Sequence, residues 1–171
     1  MSQAPTAPIP YVERSRAYYL AQGYDNPYRW AQHDDAPFAP LRKPLAECTV
    51  GIVTTAAPNR PELGDQGPGA EYNAAAKFRH TFSMPTDTIP DLRISHIGYD
   101  RKHTKAEDPN SWFPLLRLRE AEAAGRIGAI AKRFYGVETT RSQRQTIERD
   151  APDIVGMMRE DGVDIALMVA T

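Results

Sequence analysis

The chain has 171 residues, of which 41% are hydrophobic and 25% charged, a composition that fits one globular domain with its own core. Its 21 basic and 22 acidic residues leave a formal net charge of -1 without a run of one sign, which argues against nucleic acid or an anionic membrane as a partner. No apolar stretch approaches the roughly 20 residues that span a bilayer, and the first residues lack the apolar core of a signal peptide. We therefore expect a soluble, cytoplasmic protein.

The N-terminal part of the chain divides at Tyr11. Residues 1–10 carry proline and alanine without periodicity and are expected to be a flexible lead-in, whereas residues 11–171 are expected to form one domain. A helix is predicted from Tyr11 to Gln22, with Gly23 as its terminator. The tyrosines between Tyr11 and Tyr28 predict either a packing layer over a sheet edge or a lid over a ligand.

Two strands are predicted in the first half of the chain. The run Cys48–Pro58 is rich in β-branched residues and favours a buried strand followed by a loop. The segment Asn59–Gly69 is rich in glycine and proline and predicts a surface loop. A second strand is predicted at Leu92–Gly98. The single cysteine, Cys48, excludes an internal disulfide and is interpreted as a buried small hydrophobic residue rather than a reactive thiol.

Helices are predicted after the second strand. Asn110 or Ser111 can cap a helix that carries Pro114 in its first turn and ends at Gly125. A further helix is predicted where apolar residues follow helical spacing, at Ile127, Ile130, Ala131 and Phe134.

The last third of the chain combines a helix and a strand. Thr140 and Gln143 have capping-box spacing, Asp150 with Pro152 predicts a kink, and Gly162 ends the helix. The apolar run Val163–Thr171 is typical of a central parallel strand that is covered on both faces. Strands that alternate with helices indicate an α/β fold, a layered parallel or mostly parallel sheet with flanking helices, which we expect to be incomplete at its C-terminus.

Several phrases of the sequence, taken in order, resemble one known family. They are NPYRW at Asn26–Trp30, PFAPLRKPL at Pro37–Leu45, TVGIVTTAAP at Thr49–Pro58, ISHIGYD at Ile94–Asp100, DPNSWFPLLRLRE at Asp108–Glu120, GRIGAIAKRFYG at Gly125–Gly136 and DGVDIALMVAT at Asp161–Thr171. The chain resembles the selenoprotein B subunits of the glycine, sarcosine, betaine and D-proline reductases, from about Tyr11 to the last residue.

The resemblance implies an oxidoreductase subunit that cleaves a carbon–nitrogen bond reductively. It implies that a motif containing selenocysteine or cysteine follows Thr171, and that the chain ends there through a selenocysteine codon read as a stop. The alternative is a natural short form, which would keep the fold and lose this chemistry. The resemblance also implies a carbonyl (pyruvoyl) group on a partner subunit, other reductase subunits or a thiol or selenol reductant as partners, and a small amino-acid-like substrate. The isolated 171-residue chain is then expected to be inactive and to form an oligomer.

Candidate catalytic residues lie at the end of the second predicted strand. His96 and Asp100, followed by His103, could surround a metal, position a substrate or the expected selenolate, or make structural hydrogen bonds. We select His96 and Asp100 as catalytic candidates and expect no metal.

Candidate substrate-binding residues end the first predicted strand and precede the next helix. The hydroxyls and amides of Thr54 and Thr55 can hold a carboxylate, or simply cap the strand. Asn110 can bind substrate or cap its helix. If the three predicted strands are parallel neighbours, these residues share one rim with the catalytic candidates.

Two other classes of function remain open from the residues alone. One is a non-catalytic, small-molecule-binding or regulatory α/β subunit. The other is a racemase-like or isomerase-like enzyme that works by acid–base chemistry through His96 and Asp100.

Overall fold

The structure, a computed structural model, describes residues 9–58, 80–94, 103, 107–137, 140 and 142–170. Most of the predicted lead-in and the predicted loop Asn59–Gly69 lie outside the described residues. The chain divides into two compact units, Met1–Phe38 and Ala39–Thr171. Among the described residues, no helix is long and apolar enough to cross a membrane.

The first unit contains the helix α1, Tyr11–Ala21, which confirms the predicted helix. Gly23 follows it with a φ of 84°, in the left-handed region that glycine adopts without a Cβ penalty. Aromatic rings pack edge to face within the unit, with 5.8 Å between the centroids of Tyr19 and Tyr24 and 5.2 Å between Tyr28 and Trp30. Whether these rings cover a sheet edge or a ligand stays a prediction.

The second unit contains seven strands and three α-helices within the described ranges. They are β1 (Thr49–Thr54), β2 (Ala57–Pro58), β3 (Phe82–Pro85), β4 (Leu92–Arg93), α2 (Leu115–Ala123), β5 (Ala129–Ile130), β6 (Arg133–Gly136), α3 (Gln143–Gln145), α4 (Ala151–Glu160) and β7 (Ile165–Val169). A π-helical turn, Thr146–Asp150, joins α3 to α4, where the sequence predicts a kink.

A mostly parallel sheet forms the centre of this unit. The strand β1 pairs in parallel with β7 along one edge, and in parallel with β5 and then β6 along the other. The strand β3 adds to β6 in the antiparallel direction. Every residue of β1 after Thr49 is buried, as expected for a strand that is paired on both edges and covered on both faces. The predicted α/β class with a mostly parallel sheet is therefore confirmed.

Helices cover both faces of the sheet. On one face, Ile52 and Phe134 pack in a buried cluster with Phe113 and Leu115, at the beginning of α2. The ring of Phe113 meets that of Phe134 at a centroid distance of 4.8 Å, edge to face. The face opposite packs against α4, in a second cluster that holds Val53, Tyr135, Ile154 and Met158.

The predicted helix across Ile127–Phe134 is wrong, because this segment forms β5 and β6. Val50 pairs with Ile130 and Val53 with Tyr135, so residues 131–134 oppose only residues 51–52 and the strand bulges there. The bulge breaks the alternation of side chains between the two faces of the sheet. Positions 127, 131 and 134 are buried, and that spacing imitates one face of a helix.

The predicted second strand does not join the parallel sheet within the described residues. Leu92 and Arg93 pair antiparallel with Ala57–Pro58 and form a separate two-stranded ribbon. The chain leaves the main sheet after Thr54, whose Oγ1 accepts the N–H of Ala56 at 3.0 Å and turns the backbone away from the ladder.

The strand β7 is parallel to β1, as predicted, but it is not covered on both faces. Within the described part of the chain it pairs with β1 alone. Its exposure alternates, and the side chain of Met168 is 70% exposed. The reason is that α4 packs over β1 and β6, at Val53 and Tyr135, and leaves one face of β7 open.

Local signals predicted the ends of the helices better than their starts. Gly125 and Gly162 follow α2 and α4 with φ values of 64° and 65°, as expected for helix-ending glycines. The cap of α3 is Ser142, whose hydroxyl accepts the N–H of Gln145, and not Thr140 as its spacing predicted.

Candidate functional site

The carboxyl ends of three parallel strands meet at one edge of the main sheet. Thr54 of β1 lies opposite Gly136 of β6 and opposite Val169 of β7. The Val137 N–H continues this junction by donating to the Thr54 carbonyl at 2.9 Å. We call it the carboxyl edge, and in open α/β sheets such an edge is where ligand sites form.

The two predicted threonines both lie at the carboxyl edge. Thr54 is fully buried, and its hydroxyl caps the strand through the Ala56 N–H. Thr55 follows it and is half-buried, so it lies nearer to solvent. Thr54 therefore has the strand-capping role that the sequence left open, and Thr55 is the better placed of the two to meet a ligand.

Asp150 is a buried acid that sequence reasoning did not select. Its side chain is 1% exposed and lies on the π-helical turn, where its oxygens accept from Gln145 Nε2 at 3.2 Å and from Arg149 Nε at 2.9 Å. It precedes Ile154 and Met158 by one and two turns, so these three residues share the helix face that packs on the sheet. The only sign of its burial in the sequence is its helical spacing from the apolar residues Ile154 and Met158.

A buried arginine, Arg93, is the second residue that sequence reasoning missed. It is 3% exposed and lies on the ribbon. Its partner there is Ala57, which comes three residues after the end of β1. Its guanidinium donates to both carboxylate oxygens of Asp91 and, at 3.0 Å, to the Leu92 carbonyl. The sequence shows an arginine in a short strand, and only the tertiary packing shows its burial.

Asn110 lies in a tight turn that Asp108 caps, so it is not itself the predicted cap. The Asp108 Oδ1 accepts from the backbone N–H of Asn110 at 2.9 Å and from its Nδ2 at 2.8 Å. These two bonds lower the pKa of the Asp108 carboxyl. The Asn110 Oδ1 is buried, and no donor among the described residues reaches it.

The catalytic candidates His96 and Asp100 lie outside the described residues, as does Thr171. The residue two positions before His96, Ile94, is fully buried in the same cluster as Ile52 and Ala56. His103 is described and exposed. Within the described ranges, no group of three or more histidine, cysteine, aspartate or glutamate residues could hold a metal ion.

The opposite end of the sheet has a structural role. Cys48, just before β1, is 1% exposed, which confirms its interpretation as a buried residue. Asp161 accepts from Arg133 Nε at 2.6 Å and from the Tyr135 hydroxyl at 2.5 Å, and so ties β6 to the end of α4. Burial and the bond to Asp161 raise the pKa of Tyr135, so its hydroxyl stays protonated as a donor.

The parallel order of β1, β6 and β7 defines an α/β scaffold. In proteins of this class, small molecules bind at the carboxyl ends of the strands. Residues 21–171 match the family model described as Glycine/sarcosine/betaine reductase selenoprotein B (GRDB). The chain therefore belongs to this family, and the resemblance read from its phrases is confirmed. No solved structure matches the chain.

Curated relatives include components of several reductases. The D-proline reductase subunit gamma of Acetoanaerobium sticklandii is 28% identical over 134 residues, which cover 78% of this chain and 52% of that protein. The Betaine reductase complex component B subunit beta of Peptoclostridium acidaminophilum is 28% identical, with 78% and 30% covered. The Glycine reductase complex component B subunit gamma of Carboxydothermus hydrogenoformans is 25% identical, with 81% and 31% covered. The chain thus spans about half of the first relative and about a third of the others.

Proposed function

We propose that the chain is a selenoprotein B-like subunit of a reductase of the glycine, sarcosine, betaine or proline type. In this proposal a selenolate or thiolate that follows Thr171 cleaves a carbon–nitrogen bond. Family membership over residues 21–171 and the names of the relatives support the assignment. The main structural support is the pairing of Val169 with Thr54. Because this pairing places the end of β7 at the carboxyl edge, a residue that follows β7 would lie there too.

The chemistry needs a nucleophile and a proton donor. A selenolate supplies the nucleophile, which bonds to carbon while the bond from carbon to the amine nitrogen breaks. The nitrogen leaves with the electron pair and needs a proton, for which His96 is the candidate donor and Asp100 the candidate group that orients it. His96 is two residues from the buried Ile94, and two residues of chain span at most about 7 Å.

Substrate binding is assigned to Thr54, Thr55 and Asn110. Thr54 would act indirectly, by fixing the Ala56 amide and the backbone at the strand end. Thr55 would meet the substrate carboxylate, since it is half-buried at the carboxyl edge. Asn110 stays a candidate because it lines a small cavity together with Trp112 and Phe113.

The proposed partners are the other subunits of such a reductase. A carbonyl (pyruvoyl) group on one of them would hold the substrate amine, and a thiol or selenol protein would return electrons to the nucleophile. Relatives carry names that describe them as subunits or complex components, which supports a partner of this kind.

The nucleotide sequence after codon 171 is the first experiment. An in-frame TGA followed by codons for a cysteine-containing loop and a helix is the expected result. Any other stop codon without coding continuation would remove the reductase proposal and favour a binding or regulatory subunit.

The catalytic assignment is tested in the extended protein that carries selenocysteine or cysteine. His96→Ala should lower turnover by about 100-fold or more with little change in the melting temperature, because it removes the proton donor. The matched control is His80→Ala, at an exposed position. Equal turnover in the two variants would refute the role of His96.

A further inference from the structure

The strand β7 has an outer edge that no strand of the described chain covers. Within the described ranges it pairs with β1 alone, and the edge that faces away from β1 is bare. Its five residues, Ile165–Val169, include neither a charge nor a proline, the features that keep edge strands from pairing with one another. The outer edge is therefore suited to bind another strand.

Hydrogen bonds on the other side of β1 show which of its backbone groups point toward β7. The Val50 carbonyl accepts from the Ala131 N–H at 2.9 Å, so it points away from β7. The Thr54 carbonyl accepts from the Val137 N–H at 2.9 Å and points in the same direction. Because backbone groups alternate in direction along a strand, residues 51 and 53 direct theirs toward β7.

Two residues of β7 direct their backbone groups to the outer edge. In a parallel pair, a residue that bonds to the neighbouring strand contacts the residues before and after its register partner, and the partner's own groups point away. Gly51 lies opposite Ala166, and Val53 lies opposite Met168. The N–H and C=O groups of Ala166 and Met168 therefore point outward and can bond to another strand.

We propose that the outer edge of β7 pairs with the same edge of a second copy of the chain, antiparallel, about a two-fold axis at Leu167. In this register Ala166 of each copy lies opposite Met168 of the other. Each of these pairs exchanges both of its backbone hydrogen bonds, because all of its N–H and C=O groups point outward. An axis at Ala166 or at Met168 would leave only one such pair within β7.

The side chains of the open face favour the same register. Ala166 and Met168 are both exposed on this face, and Met168 is 70% exposed. The axis at Leu167 places the long Met168 side chain of each copy beside the small Ala166 of the other. An axis at Met168 would instead set the two long side chains against each other. The surface is thus self-complementary, as a two-fold contact requires.

The size of the contact indicates a reversible dimer. A stable interface buries about 800 Å² on each partner, and one short strand edge supplies less. Because the paired strands run in opposite directions, the carboxyl edges of the two copies lie at opposite ends of the joined sheet. The dimer therefore leaves both carboxyl edges free.

Disulfide cross-linking tests the register, since a residue on the two-fold axis meets its own counterpart. Leu167 would form a non-hydrogen-bonded pair with Cα atoms about 4.5 Å apart, within the range that a disulfide spans. In mild oxidant, Leu167→Cys should form a covalent dimer at least about tenfold faster than Ala166→Cys, Met168→Cys or the exposed helix control Ala123→Cys. The native Cys48 is 1% exposed and does not compete.

A proline variant tests the backbone bonds separately. Ala166→Pro removes an N–H that points to the outer edge and leaves the bonds to β1 in place, as prolines in edge strands do. Static light scattering at micromolar concentration should show a dimer for the unchanged chain and a monomer for this variant, with little change in melting temperature. Ala36→Pro makes the same change in an exposed, extended segment and should remain dimeric.

A monomeric chain at these concentrations would overturn the dimer, and so would a dimer that persists in Ala166→Pro. Fastest cross-linking at Ala166 or Met168 would overturn the register. If Leu167→Cys does not fold, the proline variant decides. None of these measurements uses reductase activity and the pairing does not rest on the proposed function, so the failure of one leaves the other standing.

Discussion

At the scale of single residues, Gly128 lies close against the backbone of Glu47. A Cβ at this position would lie 2.6 Å from the carbonyl carbon of Glu47 and 2.9 Å from its Cα. Because these are backbone atoms, no rotamer change relieves the clash. We expect Gly128→Ala to lower the free energy of unfolding by about 1–3 kcal/mol, measured by urea denaturation.

A second glycine provides the control for this prediction. Gly156 lies exposed in α4, and a Cβ there would have no neighbour within 4 Å. Gly156→Ala should raise the free energy of unfolding by about 0.5–1 kcal/mol, because alanine favours a helix interior. A similar loss of stability in both variants would mean that the approach at Gly128 is not the cause.

Asp164 makes the stability depend on pH. It accepts from Lys43 Nζ at 2.8 Å and from the Thr49 N–H at 2.8 Å, and these bonds lower the pKa of its carboxyl from the usual 3.8. A lowered folded-state pKa gives stability that is present above the unfolded pKa and is lost as the pH falls through the folded value. Asp164→Asn should therefore lower the melting temperature near neutral pH, with a difference that shrinks in strong acid. Asp87→Asn, an exposed position, is the control, and a difference that is constant with pH would contradict the prediction.

At the scale of elements, the sequence predicts what is decided locally. Glycines after α1, α2 and α4 mark the helix ends because the left-handed conformation is a property of one residue. The partner of a strand is decided elsewhere in the chain. The two residues of β4 could not reveal that it pairs with β2. The bulge between β5 and β6 gave an extended segment the apolar spacing of a helix.

An aromatic contact joins the beginning of α2 to the sheet. Phe113 is buried and packs edge to face on Phe134. Phe113→Ala should lower the free energy of unfolding by about 3–5 kcal/mol, because it removes buried area and leaves a cavity. The same change at Phe38, which is 93% exposed, should cost less than about 0.5 kcal/mol. Comparable losses in urea melts of the two variants would show that Phe113 does not anchor the helix.

At the scale of the whole molecule, the sequence predicted the position of two candidate residues, and their role in binding stays a prediction. Thr54 and Thr55 were predictable because they end the most buried strand, and that strand is central in the structure. Arg93 and Asp150 were missed because their burial comes from contacts between distant segments, which composition and spacing do not encode. Within the described residues, the predicted second strand pairs with β2 in the ribbon and not with the parallel sheet, so the place of His96 and Asp100 at the rim stays a prediction.

The exposed strand β7 gives a prediction about self-association. Among the described residues its outer edge is unpaired, and its sequence, IALMV, carries neither a charge nor a proline, the features that keep edge strands apart. We expect the 171-residue chain to self-associate at micromolar concentration, as measured by static light scattering. Met168→Lys places a charge on the exposed face and should shift the population toward monomer, whereas Ala123→Lys adds the same charge on the exposed side of α2 and should not. A monodisperse monomer with a cooperative melt would contradict the prediction and show that β7 needs no partner.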